Sequence, residues 1–445
     1  MTLIQLFQFI LSISILVILH ELGHFVPAKL FKTKVEKFYL FFDPWFSLFK
    51  TKIGGTEYGI GWLPFGGYVK IAGMVDESMD TEQLKKPAEP WEFRSKPAWQ
   101  RLIIMMGGVT VNFFLAWLIY SSLSYFKGET FHENTKFENG VAVSEAGKKM
   151  GLENGDKILK IDGKPAERME TSTINMLFAN EATVLRNGKE VTFPVNEDGV
   201  AAVLAENEAK LYFSPRFEVV VDSLLPKGSA QAAGMIKGDK IVGINGKPVR
   251  FFDELGHELS RYKNQNVVLD IERNNMPQKI DIKVDEKGKL GFSNDMAVAQ
   301  KEFEKSQVTK HYTLLEAIPR GLTRTIDVLT MQIKQFKIIF NTKTEGYKKV
   351  SGPIGIIKQM PETINWEFFW SFTAMFSVWL AFLNLIPIPG LDGGHVVFTL
   401  WEMITGKPVP QKVLENAQMI GVVFLLGLMI LIFGNDIVKW ITGKF

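Results

Sequence analysis

The chain has 445 residues, of which 46% are apolar and 22% charged, with a formal charge of +3 and no cysteine. So small a charge, with no basic run interleaved with stacking aromatics, gives no ground for nucleic-acid binding. The lack of cysteine excludes thiol catalysis, disulfides and every cysteine-containing zinc site, so a metal here has to rest on His, Asp or Glu.

A pure membrane bundle would carry less charge, and a wholly soluble chain rarely has apolar runs this long, so a mixture of membrane spans and soluble domains is expected. Residues 3–26, beginning LIQLFQFILSISILVIL, form the first stretch of spanning length. Residues 1–19 hold no Lys or Arg and no small-residue cleavage pattern follows, so this is not a cleavable signal peptide. The span (taken as residues 1–28) ends in His20-Glu21-Leu22-Gly23-His24. On a helix, a spacing of four brings both imidazoles to one face, where they can share a tetrahedral metal. Glu21 stands beside them, placed to take a proton from a water that the metal acidifies. The bland alternative is a polar helix end at the membrane interface, but ionisable groups at that depth are costly unless liganded or paired.

Residues 29–101 begin with Lys29, Lys32, Lys34 and Lys37, whereas nothing basic precedes the first span. The positive-inside rule therefore places 29–101 in the cytoplasm and the N-terminus outside. Within it, GGTEYGIGWLPFGGYVKI (54–71) alternates β-formers with Gly pairs, which predicts a hairpin with a free edge. A second span runs over 102–125, and a third from Phe368 to Pro387 within a broader segment 366–405. A fourth covers about 419–433, in a helix taken as 416–441. With four spans, the C-terminus and the block between the second and third spans lie outside.

That outer block repeats itself. Gly151, Gly155, Asp156, Gly163 and Pro165 recur 83 residues later as Gly234, Gly238, Asp239, Gly246 and Pro248. The pattern of helix, Gly turn, short β run and Asp-Gly or Asn-Gly turn resembles the core of PDZ domains, giving two α+β modules at 126–214 and 215–308. From 309 to 350, Ile318, Leu322, Ile326, Leu329, Ile333, Phe336 and Phe340 form one stripe of an amphipathic helix. It is expected to pack on a domain or lie on the membrane surface.

Two histidines leave a metal one protein ligand short. In the third span, NLIPIPGLDGGH (384–395) breaks the helix with Pro387, Pro389, Gly390, Gly393 and Gly394. Broken backbone at membrane depth is tolerated only where it is buried in protein or lines a wet cavity, so Asp392 is the candidate third ligand. The competing reading makes it the N-cap of a following helix.

Together, H-E-x-x-H at 20–24 and L-D-G at 391–393 resemble the site-2 protease family over essentially the whole chain. The resemblance implies a zinc endopeptidase of the bacterial inner membrane: a four-span helical bundle with a membrane-reentrant β-hairpin and two periplasmic PDZ-like domains. Its ligands to Zn2+ would be His20, His24 and Asp392, with Glu21 as general base near the cytoplasmic side. It also implies substrate contacts at Asn112 and Asn384, and along the hairpin at Tyr58, Gly59, Ile60, Gly61, Gly67 and Tyr68. Both Asn are equally readable as glue between helices. Implied partners are the lipid bilayer and single-span membrane proteins, such as an anti-sigma factor in envelope-stress signalling already trimmed by another protease. Remnant signal peptides are further substrates. The PDZ pair would either exclude bulky substrates or capture peptide C-termini. The competing classes are an intramembrane ion transporter and a non-catalytic PDZ scaffold, neither of which needs a base between two metal ligands.

Overall fold

The computed structural model describes residues 2–74, 87–205, 212–343, 350 and 352–441. Parts of three expected regions (29–101, 126–214 and 309–350) lie outside these residues. The chain divides into two compact units, one of Met1–Gly128, His311–Ile333 and Lys349–Phe445, the other of Glu129–Lys310 and Lys334–Lys348.

Among the described residues, the first unit holds four helices long and apolar enough to cross a membrane. These are α1 (Leu3–Leu30), α2 (Ala98–Phe126), α5 (Trp366–Leu385) and α7 (Gln411–Ile441). Between them come an antiparallel pair, β1 (Val35–Ile53) and β2 (Thr56–Ile71), the helix α3 (Leu314–Ile339), of which only the part through Ile333 belongs to this unit, and the helices α4 (Pro353–Gln359) and α6 (Asp392–Thr405). The third segment expected over 366–405, with its break at the Pro-Gly run, forms two helices. The first stops at Leu385 because Pro387 and Pro389 cannot donate to a helical ladder. The fourth span starts earlier than expected, at Gln411.

Small and polar residues bring these helices together, as happens where lipid removes the hydrophobic drive for packing. Ser12 Oγ lies 2.9 Å from Thr373 Oγ1 between α1 and α5, and Ser377 Oγ donates to the Asn112 carbonyl at 2.7 Å between α5 and α2. Ala116, Ile119, Tyr120, Ala374 and Val378 fill the space around that contact. The face of α3 that rests on α2 is not the expected stripe: Ile318, Ile326 and Ile333 are exposed, whereas Ala317, Gly321 and Thr325 are buried. Val328 and Leu329 join this cluster, and Trp117 Nε1 donates to the Ile318 backbone carbonyl at 2.8 Å.

The hairpin doubles back on itself. Residues 35–40 pair with 67–71 on one side and with 57–60 on the other, while 47–53 pair with 56–61. Gly54 and Gly55 make its tight turn with φ of 56° and 84°, a conformation that favours Gly. The result is a four-stranded arrangement whose outer strands are 47–53 and 67–71. This corrects the expectation for Tyr58, Gly59 and Ile60, which are paired on both sides and lie on no free edge. Gly61 pairs with Ser47. Of the hairpin residues expected to meet substrate, only Gly67 and Tyr68 are on an outer strand. A one-dimensional pattern cannot show that a strand is flanked twice, because the second partner comes from the far half of β1.

In the second unit the internal repeat becomes two like-built sheets. The first orders β4 (Lys164–Pro165), β3 (Lys157–Ile161), β5 (Glu181–Arg186) and β6 (Lys189–Pro194). The second orders β8 (Lys247–Pro248), β7 (Lys240–Ile244), β9 (Asn266–Arg273) and β10 (Met276–Lys283). The repeated Asp anchors each one. Asp156 is gripped by Arg186 from Nε at 2.8 Å and Nη2 at 2.7 Å, and Asp239 by Arg273 at 2.8 Å from each. In both, the Arg also donates to the carbonyl of the repeated Gly, Gly151 or Gly234.

Candidate metal centre

His20 and His24 are buried in the second half of α1, one turn apart. Their setting depends on the crossing of α1 over α2. A Cβ on Gly23 would stand 2.4 Å from the Gly107 carbonyl oxygen, and one on Gly107 would stand 1.9 Å from that of Gly23. Only glycine lets two backbones approach so closely. Gly108 faces the imidazoles themselves: a Cβ there would lie 2.4 Å from His24 Nε2 and 2.5 Å from His20 Cε1.

Asp392 reaches the same place from the far end of the chain. After α5 the backbone folds over itself. Gly390 has φ of +100°, and a Cβ on Gly393 would meet the Ile386 carbonyl oxygen at 2.3 Å. α7 braces the loop, with Gln418 Oε1 accepting from the Gly390 N–H at 3.2 Å. Leu391 is the N-cap of α6 and Asp392 its first residue, so the N-cap reading of Asp392 does not hold.

Three donor atoms converge there. His20 Nε2 and His24 Nε2 are 3.3 Å apart, and Asp392 Oδ2 lies 3.3 Å from the first and 3.2 Å from the second. A tetrahedral zinc with bonds of about 2.0–2.1 Å separates its ligands by about 3.3–3.4 Å, so the triangle is of the size that ion requires. Asp392 Oδ2 is also buried without a hydrogen bond, despite its nearness to both rings. A carboxylate oxygen in that state needs a cation. The residues fit a metal.

Around the triangle, His24 Nδ1 is 2.8 Å from the Ile104 carbonyl of α2. Asn112 Nδ2 is 3.0 Å from His20 Nδ1, and Asn384 Nδ2 is 3.2 Å from His20 Nε2. The two Asn therefore meet the same imidazole at opposite nitrogens. Glu21, half-buried, accepts from the Val69 N–H of the outer strand 67–71. Among the described residues, no other group of three or more His, Asp or Glu offers a metal site. Sequence reasoning missed the Ile104 carbonyl and the Val69 N–H, which are backbone groups carrying no residue signal. The spacing role of Gly108 had a signal in the Gly107-Gly108 pair.

Three converging donors beside a carboxylate, in a unit with helices of membrane-spanning length, are the kind of donor set a metallopeptidase uses. The profile of peptidase family M50 matches residues 8–428, and the chain belongs to that family, the site-2 protease family that its two motifs resemble. It is similar to the regulators of sigma-E protease of Haemophilus influenzae and Escherichia coli, each 28% identical over 97% of this chain and 98% of theirs. A Neisseria meningitidis protein named as a zinc metalloprotease is 28% identical over 98% of this chain and 99% of its own.

Proposed function

We propose that this peptidase is a zinc enzyme that cuts single-span membrane proteins inside the bilayer. The observation that carries the reading is the triangle of donors 3.2–3.3 Å apart on helices of membrane-spanning character. His20, His24 and Asp392 hold the metal and Glu21 is the general base. When bound, zinc supplies a Lewis acid that polarises the scissile carbonyl and acidifies water. Glu21 accepts the proton as the water oxygen attacks the carbonyl carbon, then passes it to the amide nitrogen as the C–N bond breaks. Asn384, within 3.2 Å of His20 Nε2, faces the same space and donates to the substrate's carbonyl oxygen.

A helical substrate has its carbonyls bonded internally and has to unwind before it is cut, and unwound backbone in lipid is costly unless paired. The outer strand carrying Gly67 and Tyr68 supplies that pairing by strand addition beside Glu21. Tyr58, Gly59, Ile60 and Gly61 support it from behind. Trp45, Phe46, Leu48 and Phe49 are exposed apolar residues on the same hairpin, which supports its entering the membrane. The charge bias of Lys29, Lys32, Lys34 and Lys37 sets that side as cytoplasmic, with the repeats and both termini periplasmic.

The relatives' names support a role in sigma-E control. The substrate would be an anti-sigma factor already cut outside the membrane, and remnant signal peptides would be further substrates. The two repeats, read as PDZ-like modules, screen substrates by outer-domain size or by C-terminus. The test is cleavage of a single-span substrate with a short outer tail by purified protein, with and without chelator. Zinc-restored cleavage is expected, whereas metal binding without cleavage of several unrelated substrates would overturn the reading.

A further inference from the structure

We propose that Asn112 is a positioning residue that orients the His20 imidazole for the metal, rather than a group that touches substrate. The inference rests on the reading of His20 as a ligand. His20 Nε2 points at Asp392 and His24, so its lone pair has to be free to ligate. A neutral imidazole then carries its one proton on Nδ1, and that N–H needs an acceptor. His24 shows the arrangement completed: its Nδ1 faces the Ile104 carbonyl at 2.8 Å, a group that can only accept. The group at His20 Nδ1 is the Asn112 amide at 3.0 Å, placed with its NH2 toward the ring while its Oδ1 is buried without a partner.

Amide oxygen and nitrogen exchange places on a half-turn that leaves the side-chain shape unchanged. Turned so, Oδ1 accepts from Nδ1–H and fixes the tautomer that metal binding requires, as partners of ligating histidines do. α2 then serves both histidines, His24 through Ile104 and His20 through Asn112. Asn112 is fully buried, and its backbone is held by Ser377 Oγ at 2.7 Å. It meets His20 at the nitrogen away from the donor triangle, so a peptide at the triangle cannot reach it without displacing the ring. In this orientation the NH2 faces the place where Oδ1 found no partner. Aspartate at 112 would offer one oxygen to Nδ1–H; its second oxygen would lack a hydrogen-bond partner, and its charge would be offset by that of the zinc-bound His20.

The experiment measures zinc retention by the full-length protein against a competing chelator, together with the absorption spectrum of the cobalt-substituted form. The variants are Asn112→Leu and Asn112→Asp. Asn112→Leu is expected to weaken metal binding by about 10–100-fold and to alter the cobalt spectrum, while Asn112→Asp retains zinc more tightly than the parent. Parent-like zinc retention and spectrum in Asn112→Leu, with cleavage lost, would overturn the proposal in favour of substrate contact. If Asn112→Leu does not fold, Asn112→Asp decides: tighter retention supports the proposal, and equal or weaker retention overturns it. A parent protein that binds no metal would instead overturn the reading of His20 as a ligand.

Discussion

His24 Nε2 lies 3.2 Å from Asp392 Oδ2, although the two residues stand near opposite ends of the chain. Two backbone features make that contact. The glycine crossing of α1 on α2 lets the imidazoles sit against Gly108, and the Pro-Gly break after α5 turns Asp392 inward at the start of α6. A helix continuing through Leu385 would carry residue 392 past the site.

Replacing Glu21 by Gln keeps the shape of the residue and removes its basicity. Cleavage should fall by about 10²–10⁴-fold with zinc content near that of the parent. Metal analysis alongside a cleavage assay checks both, and a variant that still cleaves would remove Glu21 from the chemistry.

Gly108→Ala should lose zinc. By helix propensity alone the change would stabilise α2 by about 0.5–1 kcal/mol. Its methyl, however, would stand 2.4 Å from His24 Nε2, and both histidines belong to the triangle. Gly427→Ala in α7, where nothing lies within 4 Å, is the control and should leave zinc retention unchanged. Equal retention in both variants would show that the site tolerates displacement of α2.

The second repeat should weaken in acid through Asp239. Burial pushes this carboxyl up, but Arg273 and the Ile236 N–H outweigh burial and hold it below the usual carboxylate range. A depressed folded pKa gives stability that is complete above the unfolded value, about 3.9, and is lost as pH falls through the lower folded value. Hydrogen exchange over residues 219–294 should show protection falling below about pH 4. Asp239→Asn should remove much of that dependence and cost about 1.5–3 kcal/mol at neutral pH.

The cysteine-free chain allows a direct test of the β edge. Single cysteines placed along 67–71 should form disulfides with cysteines near the scissile bond of a substrate, and cysteines along 47–53 should not. Cross-linking from 47–53 instead would assign substrate to the other outer strand.

Much of this protein was legible one residue at a time. The four apolar helices, the HELGH pair spacing, the tandem Gly-Gly-Asp repeat and the LDG break are local patterns, and a period of 3.6 residues or a Pro-Gly pair acts wherever it occurs. Even Asp392 could be singled out, because a carboxylate at membrane depth demands a partner.

Tertiary structure decided the rest. It set the 3.2–3.3 Å triangle, the supply of both Nδ1 partners by α2, and the pairing that takes Tyr58–Ile60 off the edge and leaves Gly67 and Tyr68 on it. These depend on approach distances between segments remote in sequence and on backbone groups such as the Ile104 carbonyl. Every residue carries those groups alike, so no residue type announces them.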